Sequence, residues 1–275
     1  MDELPYISIQ SALEVTSAKI IVGYLNESDC DGLPKDSRIS FINLSKFNEK
    51  NTKLDGNYSA FDSKEFYEIV EFKWNLLLEV LELEHSFVIY SDTDVIWIKD
   101  PIPMLVESFE KYKAIELFIQ SDTRRPNYLV PCMGFLAIRN CESIKLIFEE
   151  CRNLHRLRIS QNQFIGDDEI IKEILEKYDN PFWFQELPQI SFPVGIFYGL
   201  FLKRMHFPNL LTPQPYIFHA NYVVGMKSKK FIMRKIGKLW NQNDFHLTTN
   251  ISMQIEFYLR RIYSNIKFKR NLKRK

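Results

Sequence analysis

The chain has 275 residues, of which 45% are hydrophobic and 14% aromatic, and a formal net charge of +1. That much apolar material excludes a wholly disordered chain. The length suits one large α/β core with or without a tail, since single cores stop growing near roughly 250–300 residues. A charge this close to zero removes any whole-chain argument for nucleic acid; the strongest local charge is the basic end, residues 267–275 (KFKRNLKRK). No basic stretch followed by an apolar one opens the sequence, and no run nears the ~18 apolar residues of a spanning helix. The expectation is a soluble, cytoplasmic protein. Cys30, Cys132, Cys141 and Cys151 show no zinc-ligand spacing and read as reduced thiols.

In chain order, residues 19–25 (KIIVGYL) and 38–44 (RISFINL) are short β-branched runs that predict strands on either side of a turn-rich segment. Residues 63–84 predict a helix, with Phe66, Ile69, Val70, Trp74, Leu77, Leu78 and Leu81 on one broad face. A continuous apolar run, 87–90 (FVIY), stops at Ser91-Asp92-Thr93-Asp94, and 95–98 follows. Further strands are predicted at 114–119, 134–138, 190–192 and 217–219, and helices at 142–154, 167–177, 231–240 and 252–266. Strands alternating with helices predict an α/β fold with a mixed, mostly parallel sheet flanked by helices. One domain is expected over 1–240, followed by a basic helical tail over 241–275.

Ligands of open α/β sheets bind beyond the carboxyl ends of strands. Asp92 and Asp94 stand there, and in extended backbone side chains two apart face one side. Two carboxylates so placed can hold a hard divalent ion that in turn meets substrate phosphates. An isolated Asp-x-Asp is a weak signal, because either aspartate alone serves equally well as a turn residue.

The whole block 87–101 (FVIYSDTDVIWIKDP) resembles the core signature of the nucleotide-diphospho-sugar transferase family, which includes plant cell-wall xylosyl- and arabinosyltransferase relatives. Other landmarks follow in that family's order. Lys73 is similar to a family lysine facing the donor. Gln120-Ser121-Asp122 and the run from Cys132 through Gly134 to Arg139 resemble an acidic loop and small-Gly-Phe strand that shape the sugar pocket. Asp168-Glu169 lies where the family often carries Asp-Gln. His219-Ala220-Asn221-Tyr222, with Gly225 and Lys227 or Lys230, resembles a late His-x-Asn, Gly and Lys element.

The resemblance covers roughly residues 19–240 and departs at Glu169. It implies a GT-A-type fold and a glycosyltransferase that moves a sugar from a UDP-sugar donor to an acceptor hydroxyl with retention at the anomeric carbon. It implies metal ligation by Asp92, Asp94 and His219, and donor binding by Lys73, Asp92, Asp94, Gly134, Asn221, Gly225, Lys227 and Lys230. Asp122 and Asp168 are expected to hold sugar hydroxyls or face the reacting carbon.

Imidazole suits Mn²⁺ better than Mg²⁺, so Mn²⁺ is expected first and Mg²⁺ second. Lys227, Lys229 and Lys230 are point charges available to phosphates. The acceptor is a glycan, a protein or a small molecule. No nucleic-acid partner is expected; for the basic end, weak contact with an anionic membrane surface is the functional alternative to a solvated tail.

The competing reading is a haloacid-dehalogenase-like, Mg²⁺-dependent phosphohydrolase, which also sets Asp-x-Asp after an apolar strand. Ile165-Gly166-Asp167-Asp168 imitates its later acidic pair, but Ile96 stands where its signature has Thr or Val. A non-catalytic lectin-like or scaffold protein is opposed by the intact Asp92, Asp94 and His219.

Overall fold

The protein's structure is a computed structural model, which describes residues 3–47, 64–122, 130–178, 183–189, 191–195, 215–223 and 225–241. In chain order it forms α1 (Glu3–Val15), β1 (Ile20–Tyr24), β2 (Ile39–Asn43), α2 (Lys64–Leu81), β3 (Phe87–Ser91), β4 (Val95–Trp97) and α3 (Ile102–Lys111). There follow β5 (Leu117–Ser121), β6 (Pro131–Arg139), α4 (Glu142–Ser160), α5 (Asp167–Lys177), β7 (Phe184–Glu186), β8 (Ile217–His219) and α6 (Met226–Asn241). The tail helix expected at 252–266 and the expected boundary near 241 fall outside or at the edge of the described residues.

The central sheet has the order β3-β6-β5-β7. β6 is buried from Pro131 to Ile138 because strands flank it on both edges and helices cover it. The sheet is mixed, as predicted, with a different balance of directions. β1–β2 and β5–β7 run parallel, whereas β3–β6, β5–β6 and β4–β8 run antiparallel. Connection length explains this. Only residues 122–130 join β5 to β6, too few for the crossover that a parallel pair needs. Both α4 and α5 lie between β6 and β7, and β7 returns parallel to β5.

Trp74, Leu77 and Leu81 of α2 pack with Met133, Leu136 and Ile138 of β6 and with Ile144 and Phe148 of α4. On the other side Val95, Leu105, Phe109, Phe118 and Phe135 form a second cluster. A third joins Leu4 of α1 to Ile96, Phe218, Ile232, Met233 and Ile236, and so ties the first helix to the last.

Two helices have no counterpart in the sequence reading. The buried face of α1 includes Ser8 and Ser11 beside Leu4, Ile9 and Ala12, so its apolar period is interrupted by polar residues. Ser11 earns its burial by accepting the Trp97 backbone N–H through Oγ at 2.9 Å. α3 begins where Asp100 Oδ1 accepts the Ile102 N–H at 2.9 Å; Asp followed by Pro is a helix-start signal. The expected strand at 190–192 is corrected. The Ser191 and Phe192 N–H groups both donate to the Pro188 carbonyl, which makes a turn, and the β-bridge to His219 is made instead by Val194. β7 is three residues long and owes its extended form to pairing with β5. Among the described residues no helix is long and apolar enough to cross a membrane.

Candidate active site

After β3 the chain turns. The Asp92 N–H donates to the Gly134 carbonyl at 2.9 Å, and the Val95 N–H donates to the Asp92 carbonyl at 3.2 Å. β4 then pairs with β8 in the register Val95–His219, which lays the imidazole against the acidic pair. The Ala220 N–H, donating to the Asp94 carbonyl at 2.9 Å, fixes the same junction. Candidate ligand atoms of Asp92, Asp94 and His219 all lie within 4.8 Å of one another. The structure thus brings together the three residues expected to hold a metal, and two carboxylates with an imidazole are a donor set that fits a divalent ion.

The ring of His219 is aimed by residues the sequence reading did not single out for this task. The Gln120 amide donates through Nε2 to the Phe192 carbonyl at 3.0 Å, which leaves Oε1 to face His219 Nδ1, also at 3.0 Å. Nδ1 therefore carries the proton and donates to Gln120, and Nε2 is turned to Asp94 Oδ1 at 3.1 Å. Gly134 is required by contact: a Cβ there would collide with the His219 ring. A slip in the β5–β6 register, from Ile119–Leu136 to Gln120–Cys132, leaves residues 133–135 without partners on β5 and creates this close approach.

Charge is balanced tightly on this side. Burial pushes the Asp94 carboxyl up, but His219 and Lys229 pull harder and leave it far below the usual carboxylate range. Lys229 Nζ lies 2.5 Å from Asp94 Oδ2. Burial depresses the His219 imidazole, and Asp94 more than reverses this. Lys73 on α2 forms ion pairs with Asp92, at 3.2 Å, and with Asp167. Although buried, it is held well above its ordinary pKa by those two carboxylates, Asp167 foremost. The Tyr90 hydroxyl donates to Asp92 Oδ1 at 2.5 Å.

A second group, Asp122, Cys132 and Asp168, converges nearby. Asp168 Oδ1 accepts the Met133 N–H at 2.6 Å. Burial, with Asp167 and Asp122 adding, pushes the Asp168 carboxyl well up. Burial also raises Asp122 and raises the Cys132 thiol strongly. Asn221 spans this region, donating to Asp122 Oδ1 at 2.9 Å and accepting the Gly195 N–H at 2.7 Å.

Gly225 has φ +92°, the left-handed conformation that glycine adopts without strain, at the entrance to α6. On α6 it is Lys229 that reaches the acidic pair. It lies four residues before the buried Met233, on the face that also carries Met226, whereas Lys227 is exposed and Lys230 is half-buried. The main roles that sequence reasoning missed are the pairing of Asp167 with Lys73 and the hold of Gln120, read from sequence only as part of the loop shaping the sugar pocket, on His219. Asp167 was legible only as a neighbour of Asp168, and its pairing with Lys73 spans 94 residues.

A mixed α/β sheet that presents an acid-x-acid turn and a late histidine at one cleft is the GT-A type of architecture. Mouse xyloside xylosyltransferase 1 in its apo form shares it, with a TM-score of 0.51, 12% identity, and coverage of 79% of this chain and 91% of that one. The profile of the nucleotide-diphospho-sugar transferase family matches residues 35–233, and the chain belongs to that family. It is 27% identical over 212 residues to the UDP-D-xylose:L-fucose alpha-1,3-D-xylosyltransferase 3 of Arabidopsis thaliana, covering 72% of this chain and 53% of that protein. To the Arabidopsis enzyme MGP4 of the same description it is 28% identical over 181 residues, 62% of this chain and 49% of that protein. The chain spans about half the length of the curated relatives it matches. Family membership removes the phosphohydrolase alternative: Asp167 and Asp168 open α5 of a sugar-transferase fold.

Proposed function

We propose that the protein is a glycosyltransferase that moves a sugar from a UDP-sugar to an acceptor hydroxyl, with a divalent cation, Mn²⁺ before Mg²⁺, held by Asp92, Asp94 and His219. The observation that carries this reading is the convergence of those three side chains within 4.8 Å beside two lysines. When bound, the cation supplies positive charge to the diphosphate.

The chain's own residues do the rest. Lys229 and the α6 N-terminus behind Gly225 offer charge and N–H groups to the phosphates. Lys73, fixed by Asp167, holds Asp92 in place. Asp122 and Asp168, kept high in pKa by burial, can donate as well as accept hydrogen bonds to sugar hydroxyls. The bond from the anomeric carbon to the phosphate oxygen breaks and the bond to the acceptor oxygen forms on the same face, with retention. The acceptor proton leaves on the departing phosphate. The names of the Arabidopsis relatives make UDP-D-xylose the first donor to test, and a fucoside the first acceptor.

Calorimetric titration with UDP and a panel of UDP-sugars, with Mn²⁺ and with chelator, tests the proposal. Metal-dependent UDP binding that is lost in Asp94→Ala and His219→Ala is the expected result. Absence of UDP binding with Mn²⁺ present overturns it.

A further inference from the structure

The turn that follows β8 leads the chain out of the acidic cleft, and Asn221 anchors it. The Asn221 side chain is held from two sides, donating to Asp122 Oδ1 and accepting the Gly195 N–H. Its backbone carbonyl lies so close to Gly195 that a Cβ there would strike it. Next in the chain, Tyr222 has φ +58°, in the left-handed region. Unlike Gly225, it carries a Cβ, and a bulky side chain is rarely found in that conformation. Strain of this kind persists where surrounding contacts over-determine the backbone, and it clusters at ligand-binding and catalytic sites.

The Tyr222 hydroxyl donates a hydrogen bond to the Asp122 carboxyl, and Asp168 and Cys132 lie near enough to act on the same hydroxyl. Asp122 is 8% exposed, whereas Tyr222 is 58% exposed, the highest exposure of any large apolar side chain among the described residues. With the hydroxyl held at a buried acid, the surface left in water is the ring. Single exposed aromatics are ordinary on protein surfaces. This one is tied by its tip to a residue of the candidate active site and set there by a strained backbone, so its place at the mouth of the cleft is built into the fold.

We propose that the Tyr222 ring is the platform on which the acceptor stacks, and that the acceptor is therefore a pyranoside. The inference rests on the transferase reading of the cleft. A pyranose carries hydroxyls around its rim and C–H bonds on its faces. The negative face of an aromatic ring suits the C–H face, and the Asp122 carboxyl at the hydroxyl end of the ring suits a rim hydroxyl, which donates and accepts at once. Tyrosine supplies such contact area with few rotatable bonds, and here its tip is already fixed, so little freedom is lost on binding. The donor sugar is the poorer occupant. It hangs from the diphosphate on the cation side, where water has to be kept from the reacting carbon, whereas Tyr222 lies on the solvent side of Asp122 and meets what arrives from solution.

The test follows the ring itself. The full chain, with UDP and Mg²⁺ present, is titrated with methyl α-L-fucopyranoside, methyl β-D-galactopyranoside and methyl α-D-xylopyranoside, with L-fucitol as the open-chain control, while the ring resonances of Tyr222 are followed by NMR in protein carrying isotope-labelled tyrosine. At least one pyranoside is expected to shift them; fucitol, which has the hydroxyls without the ring face, is not. Tyr222→Gly suits the left-handed backbone and so should fold. It is expected to weaken pyranoside binding about tenfold or more with UDP binding unchanged. Tyr222→Phe keeps the ring and loses only the bond to Asp122, so it is expected to weaken pyranoside binding by a smaller factor. The proposal is overturned if no pyranoside moves the Tyr222 ring, or if Tyr222→Gly binds the pyranosides as the unaltered chain does. It is overturned equally if Tyr222→Gly loses UDP along with them, which would make the ring a nucleotide contact. Failure of the transferase reading shows differently, as absence of UDP binding in the unaltered chain, and removes the acceptor role with it.

Discussion

Two neighbouring acidic groups have carboxyl pKa values shifted in opposite directions. Around Asp94, buried carboxylate meets His219 and Lys229, and the acid stays ionised against its burial. Around Asp168, a half-buried carboxyl meets Asp122 and Asp167, and desolvation prevails. Both are aspartates, and burial is the leading upward influence on each. The difference lies in the neighbours: cations beside Asp94, further carboxyl groups beside Asp168; under the proposed function the first group serves cation and phosphates and the second the sugar hydroxyls.

Breaking the first group should have the largest effect. Asp94→Ala is expected to lower transferase activity by about 10²–10³-fold, the range found when one group stabilising developing charge is removed, and to abolish Mn²⁺-dependent UDP binding in calorimetry. Gln120→Leu leaves the ligands intact but removes the acceptor that orients His219. A loss of about 10–100-fold in Mn²⁺ affinity is expected, measured by metal titration monitored through UDP binding; an unchanged affinity would show that β4–β8 pairing alone fixes the ring.

The second group should respond in the other direction. An acid whose folded pKa is raised above its unfolded value loses stabilisation as pH climbs past the unfolded value near ~4, because the unfolded chain releases its proton first. Asp168→Asn mimics the protonated acid, so with chelator present it should flatten the fall in melting temperature above that pH. An unchanged slope would show that Asp168 is ionised at rest.

The smallest effect is expected at His155, buried beneath α2, where Nδ1 accepts the Trp74 indole N–H at 3.1 Å. Burial lowers its pKa, so its contribution to stability is complete above the unfolded value near ~6.5 and is lost as pH falls through the folded one. His155→Gln keeps an acceptor for the indole. It should reduce the loss of melting temperature between neutral and mildly acid pH, as followed by thermal unfolding.

Much of the fold was legible in the sequence where period and burial agree. The helix at Asp167–Lys177 and the strand at Ile217–His219 form with the predicted bounds, and β3 extends its predicted run by one residue. α1 was not legible, because serines on its buried face break the apolar period and their partners are distant in sequence, the Asp92 carbonyl for Ser8 and the Trp97 N–H, 86 residues away, for Ser11. The same distinction runs through the site. The residues of the Asp92–Asp94 turn and the His219 element are contiguous words in the sequence, since each rests on one strand end and its side chains are set by local backbone. Gln120 under His219, Asp167 on Lys73 and Lys229 on Asp94 are pairings across 94 to 135 residues. The sequence by itself determined which acids and which histidine the chain carries at its strand ends. Tertiary structure alone decided which cations reach which acids, and therefore which way each carboxyl's pKa moves, because protonation in a buried site follows neighbours in space.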